Sequence, residues 1–571
     1  MIEKHIRKVF AQESATPRPV GGKREPVEGT RNICDCRRFF KKNRKELKAT
    51  QIEILKNELT ECCLTHIQDS YRVHLNRLRG LEILDQLITL STIDKIYSEL
   101  AVHMIWACLS CVHHFLLRIK SETGLIQWLR RQKVTSSNVN RTSDVLNFRR
   151  QARRSIKIYD KLLLFLTPSY YTTALNAIIT FYEEANIWDI EYFCSNLLQR
   201  LLIRSEEKNR IESIHEILSL VENSTLTNSI VSRQILQVLF AVEESLNWSV
   251  MNDKLADRFL EIYYRSLTPE NLHDYNYESL EEGLETCIRA MSMHFTEKQL
   301  MFMIKWMLKV TEMEKISEDN LLNFGSLLEH ITVLYISKAY KRPLLEQVFP
   351  QIVKLIGSNN LVYSLLGNRV LHDLIDRCNN KLKFNTPRLF FRNSHYNIVL
   401  NHYNTSDKLL FQRYRELLHK TFVAAVIKHG IHKIHLENIY VSIVLFLVEI
   451  PCGYTAAAAV CLAMSIQTAA LESKHIELTH AHRLHATVVS IMSLVCYIHK
   501  ADVFYDYVNT IIQRRANYAP HLNPPLKMHY KYAQHHILWN KPELFFEDWE
   551  ARYGLWKCFK EKHKDMIVAH V

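Results

Sequence analysis

Glycine and proline are scarce in this sequence. Its 571 residues include 12 Gly and 13 Pro, each about 2% of the chain where ~7% and ~5% are usual. No Gly follows an Asn or Asp, so the strongest two-residue hairpin signal is missing throughout. Loops that cradle phosphates also need glycine, and neither G-x-G-x-x-G nor G-x-x-x-x-G-K-[ST] occurs. These gaps argue against a Rossmann enzyme, a P-loop NTPase and an all-β sandwich. The nucleophile elbow G-x-S-x-G is absent too, which leaves a lipid hydrolase without support. The 13 cysteines are odd in number and scattered, unlike a secreted disulfide scaffold. The opening Met1 to Lys8 holds no long apolar run, so it does not read as a signal peptide, and a reducing, cytosolic setting is expected.

What is present is apolar and helical. Hydrophobic residues make up 47%, too much for a chain whose main state is disorder. From about residue 47 onward, apolar residues recur at three- and four-residue steps. Examples are Ile52, Leu55, Leu59, Cys62/Cys63 and Ile67; Leu197, Leu198, Leu201 and Leu202; and Ile211, Ile214, Ile217/Leu218 and Val221. The face Val348, Ile352, Val353, Ile356 stops at Gly357, a helix C-terminal signal. Short amphipathic helices joined by short turns predict an all-α fold, an armadillo/HEAT-like α-solenoid rod of stacked helix pairs. The expected organisation is a basic N-terminal helix and mobile loop over 1–46, with Pro17, Pro19, Gly21, Gly22, Pro26 and Gly29 in the loop. A continuous solenoid over 47–525 follows, with a candidate subdivision near 380–410, and then a C-terminal extension over 526–571.

Residues 439–464 are long and apolar enough to suggest a membrane span. Glu449, Pro451 and Gly453 divide them, leaving two pieces shorter than the ~20 residues a span needs. Two buried helices around a turn are expected.

Charge is uneven. Residues 1–60 hold 15 Lys/Arg against 8 Asp/Glu, and residues 130–161 hold 10 against 2. The remainder of the chain is close to neutral, since the whole carries +13. The densest stretch contains Arg31, Arg37, Arg38, Lys41, Lys42, Arg44 and Lys45 around Phe39 and Phe40. The second contains Arg149, Arg150, Arg153 and Arg154. Such patches suit an anionic lipid surface, a nucleic acid or an ordinary solvated helix face. Cys34 and Cys36 lie inside the first patch, where a thiol beside a polybasic run is a candidate lipidation site; a pair of free cysteines is the plainer reading. Cys108-x-x-Cys111 with His113 and His114 sits in an apolar run without a second ligand pair, so core cysteines are expected rather than zinc. His475, His480, His482 and His485 cluster without an HExxH-like carboxylate, so solvated or hydrogen-bonded histidines are expected. No metal and no cofactor is implied.

Two segments resemble a known family. Residues 79–87 read RGLEILDQL, and residues 370–384 read VLHDLIDRCNNKLKF, followed by Thr386-Pro387-Arg388. The early E-x-LDQL and the later pattern at Asp376, Arg377, Asn379, Asn380 and Lys383 resemble the Rolling blackout family. The helical segments 436–449, 458–471 and 480–498 and the ending Tyr518-Ala519-Pro520 are similar in order and spacing. The resemblance covers most of residues 1–525 and points to a divergent or N-terminally shortened member. It implies a non-enzymatic peripheral scaffold on the cytoplasmic face of the plasma membrane, with a cytosolic pool. It implies acidic phospholipids as one partner. The other is the phosphatidylinositol 4-kinase type III alpha complex, reached through a tetratricopeptide-containing protein, so that phosphatidylinositol 4-phosphate synthesis is supported. No nucleic acid is expected. The alternative is a soluble helical-repeat adaptor that uses the basic patches for another acidic partner.

Overall fold

The structure, a computed structural model, describes residues 36–64, 70–90, 100–131, 138–164, 170–204, 206–225, 229–243, 253–267, 275–312, 316–338, 343–473, 475–528, 530 and 541–568. Among them are twenty α-helices and no strand, the all-α repeat architecture that the periodicity predicts. The chain divides into two compact units, 1–255 with 274–290, and 256–273 with 291–571. They are described in turn.

The first unit contains α1 (Cys36–Cys63), α2 (Ser70–Leu90), α3 (Ala101–Arg131), α4 (Asn138–Leu164), α5 (Tyr171–Glu184), α6 (Glu191–Arg204), α7 (Glu207–Thr225) and α8 (Ser229–Glu243), and most of α10 (Tyr275–Ser292). Its core follows the helical repeat of the sequence: Ile52, Leu55, Leu59 and Cys63 on α1 are buried, as are Leu197, Leu198, Leu201 and Leu202 on α6. Buried polar groups tie successive layers. Trp106 Nε1 donates to Ala177 O (2.7 Å) between α3 and α5, and Tyr159 Oη donates to Leu197 O (3.1 Å) between α4 and α6.

The second unit holds most of α9 (Asp253–Ser266), then α11 (Glu297–Thr311), α12 (Glu318–Lys338), α13 (Pro343–Ile356), α14 (Leu361–Ile375), α15 (Thr405–His429), α16 (Lys433–Glu449), α17 (Gly453–Glu472), α18 (Leu478–His499), α19 (Asp502–Tyr518) and α20 (Asp548–Val568). The expected break in 439–464 falls at 450–452, between α16 and α17. Helix α16 is buried all round over its last eleven residues, Ile439 to Glu449, whereas α17 is half-buried. By length and composition alone, Ala101–Ser121, α17 and α18 are apolar enough to cross a membrane.

Helix α13 ends at Ile356 and α14 packs against it through Gly367. A Cβ at Gly367 would meet Ile356 N at 2.8 Å and Leu355 Cβ at 2.9 Å. Backbone atoms cannot step aside as a flexible side chain can. Gly367→Ala is therefore expected to destabilise by about 1–3 kcal/mol, despite alanine's better helix propensity. The shift in urea midpoint checks this.

Three expected boundaries are corrected. Residue 46 lies inside α1, because the basic stretch and the apolar stretch after it form one continuous helix. The segment 380–410 is no border: it packs within the second unit, and the division lies at 255–291. Residues beyond 525 are not a separate extension, because Leu544 and Phe545 form one buried cluster with Ala519 and Leu522.

Candidate functional site

The motif residues around 376–383 form a buried polar knot. Helix α14 ends at Asp376, whose carboxylate accepts from Asn380 N (2.8 Å) and Lys381 N (2.7 Å). The chain can turn back this tightly because Asn379 takes a left-handed conformation (φ 52°), which Asn tolerates better than most residues. Asn380, fully buried, donates to Val399 O (2.8 Å), while its Oδ1 accepts from Val399 N (3.2 Å) and Lys383 Nζ (3.2 Å). Arg377 reaches Asp407 Oδ2 at 2.9 Å and Glu449 Oε2 at 3.7 Å. Glu449, 2% exposed, also accepts from the backbone N–H of Arg377 (3.0 Å) and Cys378 (3.3 Å) and from Asn401 Nδ2 (2.8 Å). Burial pushes the Glu449 carboxyl up to about 7, against the pull of Arg377 and those donors. Asp407 is also half of the capping box Asn404/Asp407 that opens α15.

The knot thus joins the end of α14, the start of α15 and the end of α16. Asp376 and Asn380 spend their polar groups mainly on the backbone and Arg377 spends its guanidinium on Asp407 and Glu449, so the motif ties these elements together. One layer inward, His372 Nε2 lies 2.9 Å from both Asn438 O and Ser442 Oγ, and burial drives its pKa down to about 3.

The cationic positions singled out in the sequence lie in the first unit. Arg37, Arg38, Lys41, Lys42, Arg44 and Lys45 occupy the first turns of α1, at spacings that recur along one side of a helix. Cys36 begins that helix; Arg31 and Cys34 lie outside the described residues. Helices α1 and α4 both pack on α2 and α3. On α4, Arg150 is exposed and Arg149 and Arg153 are half-buried. Burial, and then Arg153, lower the Arg149 pKa. Arg154 belongs less to this surface than the sequence suggests, because it is held by Asp85 Oδ2 at 2.8 Å. Among the described residues no carboxylate lies within ion-pair distance of Arg149, Arg150 or Arg153.

The clustered thiols and imidazoles singled out in the sequence are mostly buried. Cys108 and Cys111 are buried, and Cys111 Sγ lies 3.8 Å from Cys63 Sγ. Of the histidines expected to be solvated or hydrogen-bonded, His475 is exposed and His480 is hydrogen-bonded, whereas His482 and His485 are packed among rings. His480, His482 and His485 are all buried, because α18 is enclosed on every side. His480 bonds to Val426 O (3.1 Å), His482 rests on the His521 and Tyr530 rings, and His485 rests on Phe545. Burial lowers His114, His480 and His482 to about 4.

A pH dependence follows. A histidine depressed in the fold takes up its proton near 6.5 once unfolded, so stability falls as pH drops from 6.5 toward 4. Glu449 has the opposite sign, costing stability as pH rises from 4.5 to about 7. Burial raises the carboxyls of Glu329 and Asp373 as well, but the depressed histidines, His114, His372, His480, His482 and His485 among them, outnumber the three raised carboxyls. The urea midpoint is expected to be lower at pH 5 than at pH 7.5, and an equal or higher midpoint would contradict this.

Stacked helical layers in each unit are the architecture of an armadillo-type repeat protein. Residues 37–546 match the family model described as EFR3, armadillo repeat. The chain belongs to that family, the same one that the Rolling blackout resemblance names. No curated protein sequence matches it. Among solved structures, the crystal structure of a Kap121p mutant is similar over 98% of this chain at 9% identity, with a TM-score of 0.32, and the chain spans 56% of that protein's chain.

Proposed function

We propose that this protein is a non-enzymatic peripheral scaffold at the inner face of the plasma membrane. It would hold a phosphatidylinositol 4-kinase type III alpha complex there, through a tetratricopeptide-containing partner, and so support phosphatidylinositol 4-phosphate synthesis. Membership of the EFR3 family, whose armadillo architecture is consistent with a scaffold, supports the reading. The observation that carries its membrane part is the cationic surface of the first unit, where Arg149, Arg150 and Arg153 on α4 have no acidic partner among the described residues and the start of α1 is rich in Lys and Arg. Each cation near an anionic leaflet contributes about 1 kcal/mol.

Co-sedimentation with vesicles tests this. Binding is expected with vesicles containing phosphatidylserine and phosphoinositide, weakening with salt, and not with neutral vesicles. Absence of binding rejects the membrane part. A soluble adaptor for another acidic partner rests on the same arginines, and stronger binding to generic RNA than to anionic vesicles at matched salt would favour it.

A further inference from the structure

The second unit carries an apolar groove far in sequence from the basic patches. Helix α17 presents Ala457, Ala458, Ala459 and Cys461 toward α15, and side chains this small leave the space between the helices unfilled. The groove has a volume of about 380 Å³. Phe411, Phe422, Ile443, Phe446 and Leu462 line its floor. Phe411 is fixed there by ring contacts with Phe446 (5.1 Å) and Tyr454 (6.0 Å). Cations stand at the rim: Lys420 is exposed, and the Arg415 guanidinium lies 5.9 Å from the Tyr454 ring. Arg415 pairs with Glu416 at 3.2 Å, but both are well exposed, so the pair is weak and exchangeable. His419 contacts Ser465 Oγ (3.1 Å), and burial, and then Arg415, lower its pKa, so it adds no charge.

The neighbouring surface is of the same character. Helix α20 packs on α17, and Arg552 on α20 lies within electrostatic reach of Cys461 at the groove. Ala551, Gly554, Leu555 and Cys558 turn one side of α20 inward. The other side exposes Trp549 (61%), Tyr553 (47%) and Trp556 (54%), with Lys560 Nζ 4.3 Å from the Trp556 ring. Amphipathic aromatics beside lysine are the residues that sit at the headgroup level of a bilayer. Helix α17 itself has the composition of a membrane-soluble helix, yet only half of it is covered.

We propose that this groove holds one acyl chain of a bilayer phospholipid. Arg415 and Lys420 meet its phosphate, and the α20 stripe lies in the headgroup layer beside it. The lining selects the occupant. An apolar floor of Phe411, Phe422, Ile443, Phe446 and Leu462 suits a hydrocarbon chain, and the exposed cations Arg415 and Lys420 at the rim suit the phosphate it carries. The inference rests on the membrane reading above but names a different contact, one that inserts rather than one that attracts at a distance.

The test uses the full chain and two ligands, myristoyl lysophosphatidylglycerol kept monomeric and anionic vesicles. Calorimetry is expected to show one lysophospholipid bound per chain. Ala458→Trp, which fills the groove, and the exposed pair Arg415→Glu with Lys420→Glu are each expected to weaken it at least ten-fold. Charge reversal on α1 is expected to leave it unchanged while weakening vesicle binding. Undiminished binding by the folded Ala458→Trp and Arg415→Glu/Lys420→Glu variants, or no lysophospholipid binding by the wild type, overturns the groove. If the monomer binds but vesicles do not, the bilayer source is overturned and the occupant is a free amphiphile. If vesicles bind and the monomer does not, the basic face stands and the groove falls.

Discussion

Replacing Arg37, Arg38, Lys41 and Lys42 by Glu is expected to weaken binding to anionic vesicles by about three orders of magnitude or more. The four positions fall within the first two turns of α1. At ~1 kcal/mol for each cation near an anionic leaflet, removing four costs about 4 kcal/mol, and ~1.4 kcal/mol is a factor of ten. Reversal adds repulsion to that loss. The slope of affinity against salt is expected to fall as well, because fewer counterions are exchanged. The substitutions touch the end of the helix that precedes its buried positions Ile52, Leu55 and Leu59, so helix content and the urea midpoint should hold. Reversing Arg149, Arg150 and Arg153 on α4 is expected to add a further loss if both helices meet the same leaflet. Unchanged sedimentation of the α1 variant would remove this surface from the membrane contact.

Arg377→Met is expected to be the most destabilising single change in the knot, by about 3 kcal/mol. Arg377 lies between two carboxylates, Asp407 and Glu449, whose side chains are 5% and 3% exposed. Removing one partner of a buried ionic group costs ~3–5 kcal/mol, because the remaining charges keep their desolvation cost without the compensating attraction. Glu449 limits the loss: with its carboxyl already near 7, it takes up a proton instead of remaining ionised. Glu449→Gln in the Arg377→Met background is therefore expected to change little further, whereas Asp407→Asn should recover part of the loss. Hydrogen exchange separates this from a general weakening. The amides of 376–381 and 404–407 should lose protection, with α5 and α6 unaffected. A wild-type urea midpoint for Arg377→Met would show that the ion cluster contributes nothing net.

Much of the fold could be read from local pattern, because the pattern states which face of each helix is apolar. The stops at Gly357 and between Glu449 and Gly453 were visible for the same reason. The role of the motif was not. Asp376, Arg377 and Asn380 stand out as polar residues after an apolar run, but their partners Asn401, Asp407 and Glu449 lie up to 72 residues away, and only the folded chain brings them together. Two of those partners carried a signal: Glu449 is the single charge in the apolar stretch 439–464, and Asn404-x-x-Asp407 has the spacing of a helix-opening box. The burial of the α18 histidines was not legible, because an enclosed helix has no polar stripe and its polar residues cannot be sorted by face. The groove was invisible for the opposite reason. A run of alanines looks like good helix and nothing more until the space beside it is measured.

The border between the two units has a consequence for how the chain is cut. Because 256–273 belongs with the later residues and 274–290 with the earlier ones, the polypeptide crosses over three times rather than once. Any single cut there strands a helix. A fragment ending at 255 lacks α10, whose Gly283 faces Leu236 on α8, and one beginning at 291 lacks α9, whose Tyr263 stacks on Phe324 of α12 (6.3 Å, 7°). Recombination or truncation at the border would therefore leave each core without one of its own helices.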